Sequence, residues 1–520
     1  MVATSNQFPI RRLSVWGFIL IQICVILLAI SNESLWIDEF VTAYFASLHS
    51  LDRAYELLFI SKGSQTPLHY LHYYFWGQLF QPNELNLRLA NLPLFVFGQL
   101  SLFLALRAYP RNFAFFFLTL SAFHPMVWQY ANEARPYIMM YAGSQMIVAY
   151  ILHIHSIQST DGRVSVFFSA IFVGGCILLF GSSMLGGFWV LTALAYVAYF
   201  HYRHLNWRYL KSGASLTLVC ILLVITSLLG IYYLKSVLGG GGASRVSSTA
   251  FSTLLFDVYE LLGLSGLGPG RTELRETGIA SLDRYWILLL LASAIFANIL
   301  ILGFKLAKQL VGKKELIIVA IVTLLPVVII VISGFAMHWR VLGRHLIPVL
   351  PVLNMVYALG ITRFLNKNYS HRRTFLVLII FVFLMLFAYS AGSMRFSDRH
   401  KKDDYRTAAN IALQDISQGK HVWWVAYGLG AQYYGVPIKY DIDSEFKNIV
   451  MHKQCIDEYP VKFISDASRE CLESLTQPDT IILSKLETFD PKGVIVTYLN
   501  TNNYVKVQAF FAFTIWRRIK

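Results

Sequence analysis

Charge is what this chain has least of. Only 14% of its 520 residues are Asp, Glu, Lys or Arg, where an ordinary soluble domain carries ~25%. With 56% apolar residues and a mean hydropathy of +0.53, it is neither a soluble enzyme of usual composition nor a disordered chain, which needs low hydrophobicity and high net charge. Cysteine is also scarce. There are five, none in C-x-x-C spacing, so no zinc-ribbon pattern is present. A P-loop, a dinucleotide-binding glycine fingerprint and a nucleophile elbow are all missing, which leaves a nucleotide-sugar or ATP substrate without support. The net charge of +15 would suggest nucleic acid in a soluble protein. Here the basic residues sit in short clusters between apolar runs, the pattern of cytoplasmic loops.

What the chain has instead is long apolar runs. Crossing a bilayer takes ~20 such residues. Eleven spans are expected, at 13–30, 88–106, 112–130, 137–154, 165–183, 185–201, 213–234, 286–304, 316–336, 346–362 and 375–393. The first, preceded by Arg11 and Arg12, resembles a signal peptide's apolar core, but it is long, and Ser31-Asn32-Glu33-Ser34 is no small-x-small cleavage site. An uncleaved helix is expected. With the N-terminus inside, inner connections carry Arg107, Arg111, Arg163, Arg203, Arg208, Lys211, Lys305, Lys308, Lys313, Lys314, Arg363, Lys367, Arg372 and Arg373, while the short outer ones carry only Arg135, Arg340 and Arg344. That asymmetry sets the N-terminus inside and the C-terminus outside.

Residues 1–393 therefore read as a membrane domain and 394–520 as an outer domain. Two long outer loops interrupt the first part. Loop 31–87 is apolar and aromatic rather than linker-like, with 40–60 and 65–80 suited to helices lying in the membrane interface. Loop 235–285 holds glycine runs at 239–242 and 266–270, readable as plain linker or as a lid over a site. In the tail, strands are expected at 421–427, 480–483, 493–499 and 504–516, after a helix at 404–417, giving a small α/β domain. Cys24, Cys176 and Cys220 fall in spans and are expected as buried small residues. Cys455 and Cys471 fall in the outer tail, where a bridge can form.

Ionisable groups at a membrane boundary are costly and call for a reason. Asp38 and Glu39, in Trp36-Ile-Asp-Glu-Phe40, lie just past the first span. A carboxylate there can act as a general base toward an acceptor hydroxyl, or can simply sit at a helix N-terminus. Glu84 and Arg88 are spaced i,i+4, acid first, as in a helix-supporting ion pair. Arg135, in Asn132-Glu-Ala-Arg-Pro-Tyr137, and Arg340, Arg344 and His345 all fall on the outer side. A planar guanidinium fork matches phosphate; snorkelling to headgroups is the plainer role. Several arginines on the same side as an acidic pair suggest a site for a lipid phosphate. His69 and His72 are three apart on an expected helix, where aromatic packing or a headgroup hydrogen bond is favoured over metal ligation, which needs further ligands.

Taken in order, Trp-x-Asp-Glu after the first helix, Gln65-Thr-Pro-Leu-His-Tyr70, Asn83-Glu-x-x-x-Arg-Leu-Ala-Asn-Leu-Pro93 and Asn-Glu-Ala-Arg-Pro-Tyr137 resemble the polyprenyl-phosphate-dependent GT-C glycosyltransferases, nearest to the protein O-mannosyltransferases and lipid A aminoarabinose transferases. Gly343-Arg-His-Leu-Ile-Pro348 resembles the family's late Arg-Tyr-x-x-Pro motif, with His345 where an aromatic is usual. The likeness is strongest over 31–140. It implies a GT-C fold in a bacterial inner membrane, and a polyprenyl-phosphate-linked sugar donor attacked with inversion. The acceptor would be a hydroxyl on a glycan, lipid or protein. It further implies Asp38 as catalytic acidic residue with Glu39 beside it. Arg135 and Arg344, with Arg340 and His345, would lie near the donor phosphate; Glu84, Arg88, His69 and Gln65 would support the site. The likeness implies no definite cofactor and leaves a divalent metal open, as some relatives involve one. One departure is Thr66-Pro67 where many bacterial members have Pro-Pro. The rival classes are a lipid-linked-sugar transporter or flippase and a non-catalytic assembly factor. Transporters often show internal repeats and midplane charges; no repeat is seen here, and the charges gather at the outer boundary.

Overall fold

A computed structural model describes residues 14–60, 66–158, 164–204, 213–238, 249–270, 273–274, 277–366, 373–442 and 458–519. Two units emerge. One comprises Met1–Ile30, Gly63–His72 and Arg88–Ser397; the other comprises Ser31–Lys62, Tyr73–Leu87 and Asp398–Lys520. Most of the first outer loop thus groups with the tail, whereas the sequence reading kept it with the membrane domain.

The first unit is helical, and the described residues of each expected span lie mostly in helix. Six described helices are long and apolar enough to cross a membrane: Glu84–Leu106, Tyr137–Gln158, Leu216–Leu238, Trp286–Ala336, Gly343–Leu365 and Val377–Phe396. This is a multi-pass membrane protein. Trp286–Ala336 counts 51 residues, ~75 Å of helix against a ~30 Å hydrocarbon core. It is in fact two helices, parted at Gly312, whose φ of 83° and ψ of 165° only glycine adopts readily. The lysines 308, 313 and 314 flank the break, as expected between spans 286–304 and 316–336.

The expected span 112–130 is divided. Helix Arg111–Phe123 stops at His124, and Pro125 opens a second helix, Pro125–Ala131. Proline drives the residue before it out of the helical region. His124 accordingly turns extended and caps the new helix, its Nδ1 accepting from the Met126 amide at 3.2 Å. Of the three cysteines in the helices only Cys176 is buried; Cys24 and Cys220 are on exposed faces.

The second unit holds helices Ile37–Ser47 and Leu51–Ile60, while Pro67–Leu79 runs through both units. The longest of these has 13 residues, ~20 Å, too short to cross. Five strands follow: β1 Val422–Val425, β2 Val461–Phe463, β3 Thr480–Ser484, β4 Tyr504–Phe510 and β5 Phe513–Arg518, in the order β2-β1-β3-β5-β4. The first three pair in parallel and the last two add antiparallel. Helix Tyr405–Ser417 is tied to this sheet by buried Asp415, which accepts from Thr480 Oγ1 at 2.8 Å, Lys420 Nζ at 2.8 Å and Arg517 Nη2 at 3.2 Å.

Two strand expectations fail. Residues 493–499 form a helix, Val494–Thr501, because Asp490 accepts from the amides of Ile495 and Val496 at 3.1 and 3.0 Å. A carboxylate cap on the first turn outweighs the β-branched run. Residues 504–516 are a hairpin, turning at Ala512 with φ 68°. Strand β2 was not foreseen. Cys471 is disulfide-bonded; Cys455, Gln65 and glycines 239–242 lie outside the described residues.

Candidate functional site

In the first unit, two of the sequence motifs meet. Asn91, at the start of helix Asn91–Leu106, donates from Nδ2 to the carbonyls of Ala131 at 3.1 Å and Glu133 at 2.7 Å. The Arg135 amide donates to that same Glu133 carbonyl at 2.8 Å. These bonds hold the turn before helix Tyr137–Gln158 and set the half-buried Arg135 guanidinium 5.8 Å from the Tyr137 ring. Arg344 lies 5.6 Å from the same ring. Two guanidinium groups therefore share one aromatic ring, each gaining cation–π attraction.

His69 is fully buried within reach of the Arg135 charge. Burial first, then the Arg135 charge, then His72 hold its pKa well below the usual imidazole value, so the ring is neutral at physiological pH. His72 turns elsewhere, its Nε2 3.1 Å from the Ala90 carbonyl. His345 packs edge-on to Trp339 with ring centroids 5.3 Å apart. Its Nδ1 accepts from the Leu342 amide at 3.1 Å. That role as acceptor leaves the proton on Nε2. His345 is thus a cap for the turn Gly343–Val349, with one nitrogen left to donate.

Two residues of this site escaped the sequence reading. Helix Phe251–Leu261, inside the loop read as linker or lid, carries Asp257 and Glu260. Glu260 occupies the space beside Gly343: a Cβ there would come 2.4 Å from Glu260 Oε2. Asp257 is 1% exposed, its carboxylate within reach of the Gly343 amide. Burial, then Glu260, push its pKa up to about 8, against the pull of the Gly343 amide and Arg340. Thr249 fastens the adjoining strand of chain, donating to the Trp339 carbonyl at 2.6 Å and accepting from the Val341 amide at 3.0 Å. The available signal was an acidic i,i+3 pair in an otherwise apolar stretch of that loop; the glycine runs drew attention away from it.

Asp38 and Glu39 belong to the second unit, in the first turn of helix Ile37–Ser47. They differ in environment. Glu39 is fully buried; its Oε2 accepts from the Trp36 amide at 3.3 Å and lies 3.5 Å from Lys402 Nζ. Asp38 is half-buried, and its charge is felt by Tyr405. Glu84 is gripped by Arg406, whose Nε is 3.1 Å from Oε1, and by the Tyr434 hydroxyl at 3.0 Å. The sequence suggested Arg88 as its support; Arg88 is wholly buried at the end of helix Glu84–Leu89. Among the described residues no group of three or more His, Cys, Asp or Glu side chains is placed to hold a metal.

With these positions known, the chain was compared with known proteins. It is similar to the crystal structure of ArnT from Cupriavidus metallidurans bound to undecaprenyl phosphate, at 12% identity and a TM-score of 0.48, over 97% of this chain and 98% of that one. It is also similar to a cryo-EM structure of the arabinofuranosyltransferase AftD from mycobacteria, at 12% identity and a TM-score of 0.45, over 100% of this chain and 42% of that one. No protein-family model and no curated protein matches.

Proposed function

We propose that this protein is an integral membrane glycosyltransferase of GT-C type that moves a sugar from a polyprenyl phosphate to a hydroxyl acceptor. Its place would be the outer face of a bacterial inner membrane, with the N-terminus cytoplasmic and the tail outside. The observation that carries this reading is the pair Arg135 and Arg344 on one Tyr137 ring, with neutral His69 close enough to feel the Arg135 charge. Two guanidinium groups on one ring suit a phosphodiester that gains a second charge as it leaves the sugar as a phosphate monoester. A lipid phosphate is a good leaving group and asks only for charge stabilisation as the glycosidic bond breaks. The acceptor hydroxyl is a weak nucleophile and needs a base. Asp38 suits that role better than Glu39 because it is half-buried, where a substrate hydroxyl can reach it, whereas Glu39 is wholly buried. The ordered motifs of the first 140 residues support the same assignment.

The test compares two variants in membranes supplied with polyprenyl-phosphate-linked sugars. Asp38→Asn should cut kcat at least a hundredfold with donor affinity nearly unchanged, since it removes only proton transfer. Arg344→Ala should weaken donor binding and slow turnover together. If Asp38→Asn turns over normally at saturating donor, the carboxylate is no base and the reading fails.

A further inference from the structure

The role of the tail can be read from what it holds. Within the second unit, Ser34, Leu35, Trp36, Glu39 and Phe40 of the acidic segment are held from positions 402–485. Ser34 Oγ accepts from the Arg406 amide at 3.1 Å. The Tyr434 hydroxyl accepts from the Leu35 amide at 2.9 Å and bonds Glu84 at 3.0 Å. Trp36 lies under Lys485, whose Nζ is 5.6 Å from the indole ring and which is itself paired with buried Asp403. Glu39 pairs with Lys402 at 3.5 Å, both side chains being almost wholly buried. Phe40, fully buried, meets four tyrosines of the tail: Tyr405 at 4.9 Å, Tyr433 at 5.7 Å, Tyr434 at 6.0 Å and Tyr427 at 6.2 Å between ring centroids.

We infer that the C-terminal domain is the seat of the acidic segment: it fixes Asp38 in place, and Lys402 acts as a positioning residue through Glu39. This rests on Asp38 being the base. Helix Ile37–Ser47 has 11 residues, too few to hold itself in water, so its first turn needs outside support. A buried Lys–Glu pair contributes little net stability, because both ions lose their water. What it does supply is one allowed geometry, since any shift leaves a buried charge without its partner. Geometry is what a general base requires: a displacement of about 1 Å can cost on the order of a hundredfold in rate. Asp38 adjoins Glu39 in the same helical turn, and its charge is felt by Tyr405.

The experiment uses the full-length chain in detergent or nanodiscs, with Lys402→Met, Lys402→Arg and the double variant Lys402→Met/Glu39→Gln. Two measurements are made: amide hydrogen exchange over residues 35–40, which needs no activity, and sugar transfer from polyprenyl phosphate. Lys402→Met should speed exchange of these amides at least tenfold. It should lower kcat at least tenfold with the donor KM within twofold. Lys402→Arg should restore both, and neutralising Glu39 in the double variant should restore exchange protection. Unchanged exchange, or unchanged kcat with altered exchange, overturns the positioning role. If exchange responds as stated but the wild-type chain transfers no sugar, the seat stands and the transferase reading fails instead. Should Lys402→Met not accumulate folded, Phe40→Leu replaces it: the segment should loosen likewise, and unchanged protection would overturn the seat.

Discussion

Arg406→Ala should destabilise the second unit through a carboxylate more than a hundred positions from any sequence neighbour of the arginine. Glu84 is held by two Arg406 nitrogens and by the Tyr434 hydroxyl, with its side chain 12% exposed against 37% for Arg406. Removing one member of a fully buried pair costs ~3–5 kcal/mol, and an exposed pair contributes only ~0.2–1 kcal/mol. This pair lies between: the arginine reaches water, and Tyr434 still donates to the stranded carboxylate. The expected loss is about 2 kcal/mol, roughly thirtyfold in the folding equilibrium. Glu84→Gln on top of Arg406→Ala should recover about half, because a neutral amide is cheaper to leave beside Tyr434. A double-mutant cycle on the purified full-length protein, read by urea unfolding in detergent with tryptophan fluorescence, gives the coupling directly. A coupling below about 0.5 kcal/mol would show that the Glu84–Arg406 contact carries none of the support assigned to it.

Two further outcomes concern the turn that bears Arg344. Asp257 has a folded pKa of about 8, so between its ordinary carboxylate range and that value the folded chain holds a proton that the unfolded chain has released. Stability should therefore fall as pH rises through this window, and Asp257→Asn should flatten the profile and raise the midpoint at pH 8; parallel profiles for the two proteins would contradict it. Gly343→Ala would drive a methyl to 2.4 Å from Glu260 Oε2, costing about 1–2 kcal/mol. The same substitution in a Glu260→Ala background should be nearly neutral, and an equal cost in both backgrounds would place the strain elsewhere.

The helices and most of their ends were legible in the chain itself. An apolar run of spanning length has to be helical in lipid, because every backbone amide and carbonyl needs a partner within its own segment. The break at Gly312 falls between two expected spans, whereas Pro125, which acts on the backbone just as locally, divides a run expected to be continuous. The clustered motifs could be found because arginine and carboxylate at a membrane boundary are costly enough to be conspicuous. The tail was harder. Its short apolar run at 493–499 suits strand or helix equally by pattern, and the choice fell to Asp490, whose side chain satisfies the first-turn amides.

What the tertiary structure alone decided was partnership. Glu84 had an obvious neighbour in Arg88, four residues on, yet it is Arg406 and Tyr434 that hold it. Glu39 looked interchangeable with Asp38 until Lys402 was seen to occupy it. Asn91 and Arg135 come from separate motifs and meet at the Glu133 carbonyl. Asp257 and Glu260 gained meaning only against Gly343 and Arg340. Periodicity and residue type act over a few residues, and so specify elements. Burial and charge pairing act between side chains far apart in the chain, and these determine which carboxylate is wholly buried and which is half-buried.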